Sequence, residues 1–121
     1  MSVVLWLGVA LVSGTGALLR FALQAAVWRR LRGSFPAGTL VVNVAGSLVL
    51  GVLHGAGVGG DASLLLATAL LGSFTTFSTW MVESERLAAG RHGRIAAANI
   101  GFGLALGLAA VALGWATGSL L

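Results

Sequence analysis

The strongest constraint on the fold is the near absence of charge along four long apolar stretches. Only 8% of the 121 residues are charged and 58% are hydrophobic, whereas soluble domains carry about 25% charged residues. A helix that crosses a bilayer needs about 20 mostly apolar residues. Such stretches run from about Val3 to Trp28, Phe35 to Gly57, Ser63 to Leu87 and Ile95 to Gly118. The sequence therefore predicts one all-α membrane domain over residues 1–121, with four transmembrane helices.

The composition also excludes several functions. There is no cysteine, so disulfides, thiolate metal sites and cysteine nucleophiles are excluded. Every basic residue is an arginine that flanks an apolar span or lies within one, so we expect no nucleic-acid partner. The three acidic residues lie near predicted span ends and the two histidines are far apart in sequence. No catalytic set is predicted, and we expect a protein that is not an enzyme.

The arginines are distributed unevenly between the predicted loops. Most of them fall in or beside the first and third loops, namely Arg29, Arg30, Arg32, Arg86, Arg91 and Arg94. The second loop carries Asp61 and neither lysine nor arginine. Because loops rich in lysine and arginine remain in the cytoplasm, the first and third loops are predicted to be cytoplasmic and both termini external.

Several polar side chains lie inside the predicted spans. Thr39, Asn43 and Ser47 are spaced by four in the second span, which places them on one stripe of a helix. Such a stripe either lines a wet path or forms interhelical hydrogen bonds, which contribute about 0.6 kcal/mol each. Arg20 in the first span either faces an aqueous vestibule or extends to the cytoplasmic interface. Asn99 in the last span is expected to face a polar partner or a pore.

The third span contains an unusual cluster at residues 72–80, Gly-Ser-Phe-Thr-Thr-Phe-Ser-Thr-Trp. Hydroxyl and β-branched residues after a glycine weaken a helix, so we predict that the helix is interrupted near the bilayer midplane. Irregular backbone at that depth must be buried in protein or face a cavity. Its carbonyl groups can then bind a cation and its N–H groups an anion. The alternative is a continuous, packed helix.

Three blocks of sequence resemble the Fluc/CrcB family of fluoride channels. They are Gly-Ala-Leu-Leu-Arg-Phe at residues 16–21, Gly-Thr-Leu-Val-Val-Asn-Val-Ala-Gly at 38–46, and Thr-Thr-Phe-Ser-Thr at 75–79 followed by Glu83. The third block, placed inside a membrane span, is highly specific. The length, the number of spans and the order of the blocks agree as well, so the resemblance covers essentially the whole chain.

The resemblance implies a passive, fluoride-selective channel that exports fluoride across a prokaryotic plasma membrane. It implies an antiparallel, dual-topology dimer in the lipid bilayer, with two pores and a structural Na⁺ at its centre. The Na⁺ would be held by the carbonyls of Gly72 and Thr75, and Arg20 would occupy a vestibule. The pore-lining residues would be Thr39, Asn43, Phe77, Ser78, Trp80 and Asn99.

Two residues depart from the family pattern, and other functions remain to be compared. Trp80 stands where the family has a second phenylalanine, and Asn99 where a serine is expected. The arginine bias predicts either an oppositely inserted paralogous partner or a homodimer that tolerates the bias. A small proton-coupled multidrug exporter is one alternative. Such exporters resemble one another in having a carboxylate in the first span, and the first span of this chain has none. A structural membrane subunit would need neither the polar stripe nor the cluster in the third span.

Overall fold

The computed structural model describes residues 2–121, and these residues form helices joined by short loops. Four of its helical units are long and apolar enough to cross a membrane, the third of them covering Gly60–Ala89. This confirms the four predicted spans. The elements are α1 (Val3–Arg30), α2 (Ala37–Gly55), α3 (Gly60–Ser63), a π-helical segment (Leu64–Leu71), α4 (Gly72–Phe74), α5 (Phe77–Ala89) and α6 (Gly93–Gly118).

The ends of α1 follow from local hydrogen bonding and charge. At its start the Ser2 hydroxyl accepts the Leu5 N–H at 3.1 Å, as serine does at helix N-termini. At its end Arg29 and Arg30 lie in the last turn, where cations are favoured by the helix dipole. The helix therefore continues slightly beyond the predicted end at Trp28 and leaves only a short loop before α2.

Glycines bring α2 and α6 into direct backbone contact. A Cβ atom at Gly51 would overlap the Val111 carbonyl, and one at Gly114 would overlap the Leu48 carbonyl. The same holds one turn further along each helix, at Gly55 and Gly118. Small residues at this spacing allow transmembrane helices to approach closely. These glycines form the tight contact between the second and fourth spans.

Gly103 and Gly107 are two further glycines of α6, spaced by four. Both lie opposite side chains and not opposite backbone. A Cβ atom at Gly103 would meet the Trp80 indole, and one at Gly107 would lie 3.9 Å from the Ser47 hydroxyl. This part of α6 therefore makes room for side chains of the third and second spans.

The third span is broken near its middle, which confirms the predicted interruption. Helix α4 ends at Phe74, and α5 begins at Phe77. Between them Thr75 (φ −82°, ψ 161°) and Thr76 (φ −148°, ψ 121°) are extended. The Thr76 hydroxyl then accepts the Thr79 N–H at 3.2 Å and caps α5. The π-helical segment before α4 was not predicted, and such segments are frequent at functional sites.

The first and third loops meet at one end of the molecule. Trp28 and Phe35, on either side of the first loop, share a groove with Arg86 and Leu87, which precede the third. Six of the seven arginines therefore lie at this end. The loop with Asp61, the start of α1 and the end of α6 lie at the other, so the predicted charge asymmetry is a property of the folded chain.

Candidate functional site

Asn43 of α2 closes the break in the third span. Its side-chain oxygen accepts the Thr76 N–H at 2.8 Å, and its side-chain nitrogen donates to the Thr76 carbonyl at 2.8 Å. An unsatisfied backbone group inside a bilayer costs several kcal/mol, and this pair of bonds removes that cost for both the N–H and the carbonyl of Thr76. Because an amide nitrogen carries two hydrogens, Asn43 still has one to donate.

A groove of about 400 Å³ runs along the break between α2, the third span and α6. Its polar groups come from Asn43, Ser47, Thr75 and Thr76, and none of the described residues that line it is charged. The remaining wall is apolar and includes the aromatic rings of Phe77 and Trp80. These two rings lie edge to face, with centroids 5.8 Å apart. The groove thus combines a few uncharged donors with the polarised edges of aromatic rings.

A second groove of about 450 Å³ opens at the arginine-rich end. Thr39 is only 2% exposed there, and its hydroxyl oxygen accepts a hydrogen bond from the Gln24 side chain at 3.1 Å. The Thr39 hydroxyl hydrogen therefore remains for donation to another group. Glu83 and Thr79 also line this groove. One carboxylate oxygen of Glu83 is buried and has no hydrogen-bond partner within residues 2–121.

Hydroxyl groups connect the two grooves. The Thr76 hydroxyl, at the first groove, donates to the Thr79 hydroxyl, at the second, over 3.0 Å. Polar groups therefore continue from Thr39 and Thr79, at the arginine-rich end, through Thr76 to Asn43 at the break.

The comparison with known proteins identifies the family. The model of the family described as "CrcB-like protein, Camphor Resistance (CrcB)" matches residues 7–115 of the chain. The chain belongs to the CrcB family. With four helices able to span a bilayer, this CrcB protein is a multi-pass protein of the prokaryotic cell membrane.

Individual CrcB relatives match along most of their length. "Fluoride-specific ion channel FluC 2" of Mycolicibacterium paratuberculosis is 49% identical over 93% of this chain and 93% of its own. The protein of the same name in Mycobacterium tuberculosis (strain H37Rv) is 47% identical over 94% of this chain and 90% of its own. An archaeal FluC 2, from Haloarcula marismortui, is 46% identical over 83% of this chain and 82% of its own.

The residues predicted from the sequence occupy different parts of the CrcB fold. Thr39, Asn43, Phe77 and Trp80 line the two grooves. Ser78 is exposed, with its hydroxyl 3.5 Å from that of Thr76. Asn99 is fully buried behind Trp80 and does not line the groove. Arg20 is half-buried on α1 and lies outside the linings of both grooves.

The break also frees the two carbonyl groups that the resemblance assigns to Na⁺. In a continuous helix Gly72 would accept the Thr76 N–H, which here bonds Asn43. Thr75 would accept the Thr79 N–H, which here bonds the Thr76 hydroxyl. Unwound carbonyls of this kind coordinate Na⁺ in membrane proteins. Both residues line the first groove, so their carbonyl oxygens are suitable ligands for Na⁺.

Proposed function

We propose that this chain forms a passive, fluoride-selective ion channel, as the names of its relatives indicate. Fluoride is small and holds its hydration water strongly, so a pore must replace that water with other donors. The first groove offers amide and hydroxyl hydrogens and the positive edges of aromatic rings. Because none of its described lining residues is charged, the ion is held weakly enough to leave again, as conduction requires.

Export from the cytoplasm follows from the chemistry of the ion. Neutral hydrogen fluoride crosses a membrane and ionises at the neutral pH of the cytoplasm, so fluoride accumulates there. A negative-inside membrane potential then drives the anion outward through a selective path. The channel needs no coupling ion for this direction of transport. The absence of a carboxylate from α1 also disfavours the design of a proton-coupled exporter.

The double hydrogen bond between Asn43 and Thr76 is the observation that carries the proposal. In Asn43→Asp the carboxylate has no hydrogen for the Thr76 carbonyl or for an anion, and it adds a negative charge that repels fluoride. We expect the variant to abolish fluoride efflux from liposomes that contain the purified protein, together with its partner subunit if conduction requires one, whereas the wild type under the same conditions releases fluoride but not chloride.

Thr117→Val provides a matched control for this experiment. Among residues 2–121, the Thr117 hydroxyl bonds only the Leu113 and Gly114 carbonyls of its own helix, so this variant should conduct normally. Fluoride release by Asn43→Asp at the wild-type rate, or equal release of chloride by the wild type, would contradict the proposal.

A second, oppositely oriented subunit belongs to the same proposal. Phe77 at the broken span is 70% exposed, and Gly72 is exposed as well. Irregular backbone in a bilayer must be covered by protein or face water, so a partner is expected against this surface. An antiparallel partner would bring a second set of Gly72 and Thr75 carbonyls to the contact. Together the two sets would hold the Na⁺ and stabilise the break.

A further inference from the structure

Trp80 is tied to α6 by hydrogen bonds in both directions. Its indole N–H donates to the backbone carbonyl of Asn99 at 3.0 Å. In return the Asn99 side-chain amide donates to the Ser84 hydroxyl at 2.8 Å and, more weakly, to the Trp80 carbonyl at 3.5 Å. The Ser84 hydroxyl itself donates to the Trp80 carbonyl at 2.9 Å. Asn99 is 0% exposed, so solvent does not compete with these bonds.

Gly103 supplies the space for the indole. It lies one turn after Asn99 on α6, and a Cβ atom built there would lie 2.6 Å from Cζ2 and 2.7 Å from Cε2 and Nε1 of Trp80. Real Cβ atoms do not approach other atoms that closely. The indole therefore rests against the backbone of α6 in a place that only glycine leaves open.

We propose that Asn99 and Gly103 are positioning residues that hold Trp80 as a fixed wall of the first groove. The proposal rests on the proposed channel function only in what it says about conduction. Because the indole N–H is already bonded to α6, Trp80 offers fluoride its ring and not a hydrogen-bond donor. The larger aromatic residue thus takes the place of a phenylalanine ring, and it fits there because residue 103 is glycine.

A double-mutant cycle tests the coupling between Trp80 and Gly103. In Gly103→Ala we expect fluoride efflux from liposomes to fall about tenfold, since overpacking a filled site displaces the ring. In Trp80→Phe the same alanine should have little effect, because phenylalanine lacks the Nε1 and Cζ2 atoms that it would meet. Gly101→Ala is the matched control: it lies on the same helix, and its Cβ would meet nothing within 4 Å.

The cycle has clear outcomes for the proposal. An equal loss of efflux from Gly103→Ala in both backgrounds, or no loss in either, would overturn it. If Gly103→Ala yields no folded protein, recovery of folded protein in the Gly103→Ala/Trp80→Phe double variant supports the coupling. Failure of the double variant to fold would count against it. If a partner subunit is required for conduction, it is present in every reaction.

A spectroscopic readout separates this inference from the channel function. In ¹⁵N-tryptophan-labelled protein, the signal missing from Trp80→Phe assigns the Trp80 indole N–H. We expect that N–H to exchange slowly with water, to show none of the large downfield shift that a direct hydrogen bond to fluoride would cause, and to lose protection in Gly103→Ala. Rapid exchange, or such a downfield shift when fluoride is added, would overturn the inference even in a conducting protein. A protected indole in a protein that conducts no fluoride would leave the inference standing and reject the proposed function.

Discussion

Gln24 provides a prediction about the second groove. Its side-chain amide donates to the Thr39 hydroxyl and so directs the hydroxyl hydrogen of Thr39 away from Gln24. Gln24→Leu removes a hydrogen bond that contributes about 1 kcal/mol, so fluoride efflux should fall about two- to tenfold. The measurement is the initial rate from proteoliposomes. In a Thr39→Val background Gln24→Leu should cause no further loss, and additive losses would show that the two residues act separately.

Asn43 illustrates what the sequence could and could not predict about a single side chain. Its spacing from Thr39 and Ser47 placed it on a polar stripe, and the structure puts all three on grooves. Its bonds to the Thr76 backbone could not be predicted, because they depend on how two helices far apart in sequence meet. Gln24 and Ser84 were missed as well, since a lone polar residue in an apolar helix produces no periodic pattern.

The sequence predicted some features of the helices and not others. Hydroxyl, aromatic and glycine residues at 72–80 predicted the break, and the structure has it at Thr75 and Thr76. The π-helical segment Leu64–Leu71 has a uniform sequence of leucine, alanine and one threonine, which contains no signal that would distinguish a π-helix from an α-helix. Packing against α1 accompanies this local geometry: a Cβ atom at Gly16 would overlap the Ser73 side chain and the Leu70 carbonyl.

The contact between α2 and α6 gives a prediction about stability. A methyl group at Gly114 would overlap the Leu48 carbonyl, a backbone atom that cannot move aside as a flexible side chain can. We expect Gly114→Ala to destabilise the protein by about 1–3 kcal/mol, the usual cost of overpacking, or to prevent folding. Thermal unfolding in detergent measures the effect against Gly101→Ala. Equal melting temperatures for the two variants would mean that α2 and α6 are not in close contact.

For the whole molecule, the main feature is its charge asymmetry. Six of the seven arginines lie at the end formed by the first and third loops. Lysine and arginine near span ends set the orientation of insertion, so most copies should enter the membrane the same way round. An antiparallel dimer then requires either a partner chain with the opposite bias or a fraction of copies that insert against their own.

Expression of this chain alone distinguishes the two possibilities. If the partner is an oppositely biased paralogue, the purified chain should be monomeric and should release little fluoride from liposomes. Co-expression with the partner should then restore efflux. Robust efflux from the chain alone would reject an obligate paralogue and support a homodimer. Labelling of an introduced cysteine from each side of the membrane reports directly how many copies face each way.

The double hydrogen bond between Asn43 and Thr76 limits how this protein can evolve. The same Asn43 amide joins two spans and faces the groove, so a substitution there that alters ion conduction also weakens the contact between α2 and the third span. Variation in ion handling must therefore arise at neighbouring positions whose partners can change with them. The trio of Trp80, Asn99 and Gly103 is such a place, because an exchange of ring size at one member can be accommodated by a change in bulk at another.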